Sequence, residues 1–174
     1  LSFGIVNSTS IGTIEESEAK LFIATEENAI TKTMADSLIA EGKGVMMLYN
    51  SGTVMGGVWT WSTSNNEAPY LNITSNEGFF DGYSSNLSVT IGNHRDTYYI
   101  GSNYPTGWTG IGANADGSAY KTAFYREHSS GGKGAVYLYD PNKYTSAGMN
   151  SFEMILQWFF DDPVITGKTV PAGN

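Results

Sequence analysis

GVMMLYNSG, residues 44–52, sets five apolar side chains in a row and then stops on Asn50, Ser51 and Gly52. A short apolar run bounded by turn residues reads as a buried strand. Working outward, GGVWTWSTS (56–64) puts Trp59 and Trp61 on one face by period two. PYLNIT (69–74) and NLSVTIG (86–92) alternate apolar and polar residues, and DTYYIG (96–101) is a further candidate strand. Residues 101–118, GSNYPTGWTGIGANADGS, read as a loop. Then come SAYKTAFYREH (118–128), KGAVYLYD (133–140) and NSFEMILQWFF (150–160), all read as strands. Short strands with turn signals about every ten residues suggest a sandwich or barrel.

Residues 14–41 differ from the rest of the chain, with seven acidic residues against Lys20 and Lys32. Thr25 followed by Glu26 and Glu27 looks like a helix start, because a hydroxyl caps an orphan N–H and acids suit the positive end of the dipole. Ile30, Met34 and Leu38 form one apolar stripe, and Gly42-Lys43 reads as a stop. The spacing predicts a helix over 25–41; residues 17–24 fit a helical turn or a strand. The expectation is one domain over 1–174: an amphipathic helix (25–41), a sandwich (44–160) and a loose tail (161–174). The fold class is mainly β, an antiparallel β-sandwich, jelly-roll-like as one option, with one N-terminal α-helix. Its expected core is Val45, Met47, Trp59, Val89, Ile91, Val136, Leu138, Ile155 and Trp158.

Composition excludes several function classes. The chain has 174 residues, 40% hydrophobic and 15% charged. That is long enough for a core and too apolar for disorder. A net charge of -8 and a pI near 4.6 argue against nucleic acid as a partner. With no cysteine there is neither a disulfide scaffold nor a thiolate zinc site. No apolar run approaches the ~18 residues of a membrane span. The start at Leu1 suggests processing or trimming, and no signal peptide is visible.

No catalytic signature stands out. His94 and His128 are the only histidines; both read as turn residues, and no metal site is expected. The G-x-S-x-G elbow of α/β-hydrolases is missing, and Gly110-Ile111-Gly112 lacks the strand-to-helix context of a phosphate loop. Asn114, Asp116 and Gly117 do not complete a calcium loop. Among Asp81, Glu127, Asp161 and Asp162 the spacing selects no glycosidase pair. The sequons at Asn7, Asn72 and Asn86 fit chance in a chain this rich in Asn, Ser and Thr. The expectation is therefore no enzyme, no catalytic residue and no cofactor.

The aromatic supply is more informative. Tyr104 and Trp108 sit among glycines, which suggests exposure, and exposed aromatics serve at sugar faces, protein interfaces and bilayer interfaces. Val45 to Gly52 followed by Gly57-Val58-Trp59-Thr60 resembles the small β-sandwich cytolysins, the actinoporin and aegerolysin groups. So does AVYLY (135–139) followed by Asp140-Pro141-Asn142-Lys143-Tyr144 and then Asn150-Ser151-Phe152. The chain departs from actinoporins in Tyr139, where they place a small hydroxyl residue, and in its acidity. The resemblance implies a membrane-binding toxin in which Pro141 and Tyr144 fall in a lipid-headgroup loop. The ligand-binding residues are then Tyr139, Pro141, Tyr144, Tyr104 and Trp108, gathered at one end of the sandwich; the helix rests on the sandwich in solution, and simple docking at a membrane is favoured over its release, a structural helix packed on the sheet being the alternative. The alternative is a receptor- or glycan-binding head of a phage tail fibre or bacterial adhesin. Partners are accordingly a lipid headgroup or a cell-surface glycan or receptor, a homo-oligomer being compatible. The setting is secreted or extracellular, or a virion surface in the alternative.

Overall fold

The computed structural model of the protein describes residues 19–27, 29–55, 59–61, 70–82, 88–90, 98–100, 105–113 and 121–160. The elements in order are β1 (Leu21–Ala24), α1 (Lys32–Ala40), β2 (Gly44–Leu48), a 3-10 turn (Tyr49–Met55), β3 (Trp59–Trp61), β4 (Tyr70–Ile73), a 3-10 turn (Gly78–Phe80), β5 (Ser88–Thr90), β6 (Tyr98–Ile100), β7 (Thr109–Ala113), β8 (Lys121–Glu127), β9 (Lys133–Tyr137), a 3-10 turn (Pro141–Lys143) and α2 (Ser146–Phe160). Among the described residues the strands form one nine-stranded sheet, ordered β1-β2-β9-β8-β7-β4-β5, with β6 paired to β8 and β3 to β6.

The sheet is mixed. β2 runs parallel to β1, with Leu21 opposite Gly44, and parallel to β9, with Leu48 opposite Tyr137. From β9 outward through β8, β7, β4 and β5 the pairing is antiparallel. This overturns the antiparallel sandwich with an N-terminal helix: the fold is mixed α/β. The reason lies in β2, whose five residues are all buried. Val45 and Met47 join the cluster that holds Ala35, Leu38 and Ile39 of α1. Met46 and Leu48 join the other cluster, with Ile155 of α2. A sandwich strand buries one face; a strand covered on both belongs between two helical layers.

Four local readings are settled or changed with it. Residues 17–24 left helix and strand open, and Leu21–Ala24 is a strand. The helix begins not at Thr25 but after Thr31, whose Oγ1 accepts from Met34 N at 3.2 Å. Its buried stripe is Ala35, Leu38 and Ile39, while Ile30 enters the core ahead of the first turn. Gly42, at φ 86, ends it, with Gly42 N donating to Ile39 O and Lys43 N to Leu38 O. Thus α1 is the crossover of a parallel β-α-β unit, not a leading helix. Residues 150–160, read as a strand, belong to helix α2, where Gly148, Ser151 and Ile155 are buried at helical spacing. Thr145 caps it, Oγ1 accepting from Gly148 N. Finally, 109–113 lies inside the segment read as a loop, yet it is strand β7, and its glycines are a packing requirement. A Cβ on Gly112 would stand 2.4 Å from Leu71 Cδ1 and 2.9 Å from Ala123 Cβ.

Of the expected core, Val45, Met47, Val136, Leu138 and Ile155 are buried, and Trp158 is half-buried against the α2-side cluster. The side chains of Trp59, Val89 and Ile91 lie outside the described residues. Trp108 is buried with 4% exposure, and it meets β9 where Gly134 has no side chain. A Cβ there would come 2.4 Å from Trp108 Cη2 and 2.7 Å from Ile39 Cδ1. Gly134→Val should therefore cost about 2–3 kcal/mol by overpacking. Combined with Trp108→Ala it should cost less than the sum of the two changes, because the cavity left by the indole admits the valine. Urea unfolding of the two single variants and the double variant checks this; strict additivity would contradict the packing described.

Candidate functional site

Parallel strands that start and stop together give a sheet two unlike edges, and in open α/β sheets ligands meet the carboxyl ends. Here that edge is formed by the residues after β1, β2 and β9. β2 stops at Leu48, and Tyr49 turns the chain with φ 48. It is the one non-glycine residue with positive φ among the described residues. For a bulky L-residue this region costs about 1–2 kcal/mol. The geometry is a strand, a strained residue and a helical turn, the arrangement by which nucleophile elbows push one side chain out above a sheet.

The surroundings fix the turn. Ser51 is buried, and its Oγ lies 2.7 Å from both the Ala24 and the Leu48 carbonyl oxygens, so it ties the ends of β1 and β2 together. Gly52 seats the turn on β9: a Cβ would fall 2.5 Å from Leu138 Cδ2 and 3.0 Å from Val136 Cγ1. Met55 is buried in the α1-side cluster. Tyr49 itself is half-buried.

Beside it, β9 leads into Leu138, Tyr139, Asp140 and the Pro141–Lys143 turn. Asp140 Oδ1 accepts from Asn142 N at 2.9 Å and from Asn142 Nδ2 at 3.1 Å, fixing the turn that Pro141 begins. Behind the edge three tyrosines pack together. The Tyr137 and Tyr139 rings are 4.9 Å apart and those of Tyr137 and Tyr144 6.0 Å. Tyr139 Oη shares a hydrogen bond of 2.8 Å with Thr122 Oγ1, and Tyr144 Oη donates to the Tyr139 carbonyl at 3.3 Å. Burial pushes all three phenols above the usual tyrosine value; for Tyr144 the Asp140 charge adds to it. Ser151 acts in the opposite direction on Tyr137. Its hydroxyl is committed to the Ala147 carbonyl, however, and Tyr137 Oη has no partner within hydrogen-bonding distance.

The structure therefore separates the residues expected to act together. Tyr139, Pro141 and Tyr144 stand at the carboxyl edge, with Tyr139 buried and Tyr144 half-buried. Trp108 is not exposed. It lies over Gly134 near the start of β9, in the cluster of the opposite sheet face. Tyr104 and His94 fall outside the described residues. His128 sits in the turn between β8 and β9, its Nδ1 2.9 Å from Ser130 Oγ, at the amino edge of β9 and away from Tyr49. No cluster of three potential metal ligands occurs among the described residues, and no helix there is long and apolar enough to cross a membrane. Sequence reasoning missed Tyr49. The available signal was a buried run that ends on an aromatic followed by two small residues before the next turn.

No family model matches the chain, and no curated protein matches it significantly. Solved structures do. A Thermoplasma acidophilum protein provisionally assigned as a component of GMP synthase is similar over 91% of this chain and 81% of its own, with a TM-score of 0.58 and 14% identity. A cold-adapted β-galactosidase from a Rahnella species is similar over 83% of this chain, which spans 23% of that enzyme, with a TM-score of 0.51 and 10% identity. A cytoplasmic protein of Salmonella typhimurium is similar over 91% of this chain and 76% of its own, with a TM-score of 0.50 and 10% identity. At these identities the likeness shows the fold alone.

The site generates two measurements. Tyr49→Gly should be about 1 kcal/mol more stable than Tyr49→Ala, the reverse of the usual order, because only glycine relieves the strain while both lose the ring. Equal stability, or the usual order, would mean that Tyr49 is not strained. The second is alkaline. An unfolded tyrosine ionises near pH 10.0, while these three stay protonated beyond it in the fold. Their stabilisation is fully present below pH 10.0 and falls as pH rises toward the folded values, by up to about 1.4 kcal/mol per unit and per tyrosine. Tyr137→Phe should leave neutral stability within about 0.5 kcal/mol and make that decline shallower, since its hydroxyl has no partner to lose. Tyr139→Phe should cost about 1–3 kcal/mol at neutral pH by leaving the buried Thr122 hydroxyl unpaired. Urea titrations at neutral pH, near the ordinary tyrosine value and above it read both.

Proposed function

We propose that the chain is a non-enzymatic binding domain whose ligand meets the carboxyl edge of β1, β2 and β9. The ligand class is a neutral, hydroxyl-rich molecule such as a cell-surface glycan, in a secreted or surface setting. Tyr49 carries the reading: strain held at the mouth of a sheet is found where function is, and the residue so held is an aromatic rather than a serine or cysteine. An aromatic face with a carboxylate and an amide nearby, here Asp140 and Asn142, suits a sugar, whose ring stacks while its hydroxyls donate and accept. The net charge of -8 disfavours anionic ligands at long range.

The lipid reading is less well supported now that the sandwich is overturned. A pore-forming step would need a helix free to leave, whereas α1 buries Ala35, Leu38 and Ile39 and joins two strands that are themselves paired. Its release would tear β1 from β2.

A neutral-glycan array probed with the intact chain, followed by titration of the best glycan, tests the proposal. Tyr49→Gly should weaken binding at least tenfold while the protein stays folded. Sphingomyelin vesicles and a panel of ester and glycoside substrates run alongside. Vesicle binding without glycan binding would restore the lipid reading. Turnover that disappears in Tyr49→Phe would replace binding with catalysis.

A further inference from the structure

The amino edge of the same parallel strands holds a cleft of about 490 Å3. It reverses the character of the molecule. The chain carries 17 acidic and 9 basic residues, yet Lys20, Lys43 and Lys133 all line this one cleft. Two of the three ammonium groups are held in place along aromatic rings. Lys43 Nζ lies 5.8 Å from the Phe22 ring centroid and 3.4 Å from Glu41 Oε2. Lys133 Nζ lies 5.1 Å from the Trp158 centroid and donates to the Trp158 carbonyl at 2.7 Å. The rings and these polar partners hold both ammonium groups in place.

The rest of the lining is apolar. Leu21 and Phe159 close over Gly44, where a Cβ would come 2.9 Å from Phe159 Cδ1 and 3.0 Å from Leu21 Cδ1. Phe160 completes the wall and is 46% exposed, a large aromatic left in contact with water. A cleft lined by three lysines and by aromatic and aliphatic surface suits a ligand that carries both an anion and an apolar body.

We propose that this cleft binds an amphiphilic anion: a carboxylate or phosphate monoester head at Lys20, Lys43 and Lys133, and an apolar body against Leu21, Phe159 and Phe160. The site is at the opposite edge from Tyr49, so it stands or falls independently of the carboxyl-edge reading.

The test is calorimetric titration of the intact chain with dodecanoate and with dodecyl phosphate, each below its micelle concentration. Acetate, inorganic phosphate and dodecyltrimethylammonium are the controls. One saturable site is expected for at least one of the two amphiphilic anions, and the tighter of them identifies the head. The controls, which lack the body or reverse the charge, should bind at least tenfold more weakly. Lys20→Gln and Phe160→Ser change exposed side chains, so the fold should survive, as thermal melting will report. Each should weaken the amphiphile at least fivefold, while glycan binding at the carboxyl edge is unaffected. Failure of both anions to bind, equal binding of the cationic amphiphile, or undiminished binding in both variants would overturn the proposal.

Discussion

Everything in this fold depends on β2 having no wet face. Five successive residues, Gly44 to Leu48, are buried, so alternate side chains point into two different cores. Such a strand cannot sit at an edge, and it needs an apolar layer above and another below. The chain supplies them from its two described helices, α1 on one side and α2 on the other. Parallel neighbours result from the same constraint: a helix that covers one face between β1 and β2 returns the chain to the edge it started from, and only a parallel strand begins there. The antiparallel half, β8 to β5, then extends a sheet whose centre is already set.

That arrangement makes the two edges chemically different. At the carboxyl edge the chain must leave β2 sharply, because Ser51 binds the ends of β1 and β2 and Gly52 presses on Leu138. The sharp exit forces the residue between strand and turn into the left-handed region, and that residue is Tyr49. At the amino edge the strands begin beside the ends of α1 and α2, and the cleft there is lined by Lys43 and Lys133, whose ammonium groups lie over Phe22 and Trp158, and by Lys20. One edge thus carries a strained aromatic, with Asp140 and Asn142 in the next turn, and the other three lysines around apolar surface.

Individual strands are easier to read from this sequence than their assembly. Alternation marks strands around 70–73 and 88–90, short aromatic-rich runs mark 98–100 and 121–127, and the continuous run marks β2. The inference that fails is the one from many short strands to two sheets. The unbroken VMML run is itself the mark of a strand covered twice, but four residues are few against the alternating segments. MILQWFF at 154–160 misleads for a related reason: when nearly every position is apolar, periods of 2 and 3.6 fit equally, and only Gly148, Ser151 and Ile155 reveal the helical face. Trp108 looks exposed because its glycine neighbours resemble a loop, whereas Gly110 and Gly112 are strand residues without Cβ atoms because Lys121, Leu71 and Ala123 occupy that space. Tyr49 leaves only the end of the apolar run as a trace, since a positive φ is announced by Gly or Asn and hidden by Tyr.

The choice of residue at position 49 is what the packing does not explain. A glycine there would adopt φ 48 without strain. Tyr49 is only half-buried, and Ser51, Gly52 and Met55 also hold the turn. Buried residues justify local strain by what they pack against. Under the proposed reading, the half-exposed Tyr49 is justified by a ligand that arrives from outside. Solved structures similar to this chain at 10–14% identity share its fold alone. Under the proposed reading, the phenol at position 49 supplies a flat apolar face and one hydroxyl to whatever docks at the carboxyl edge.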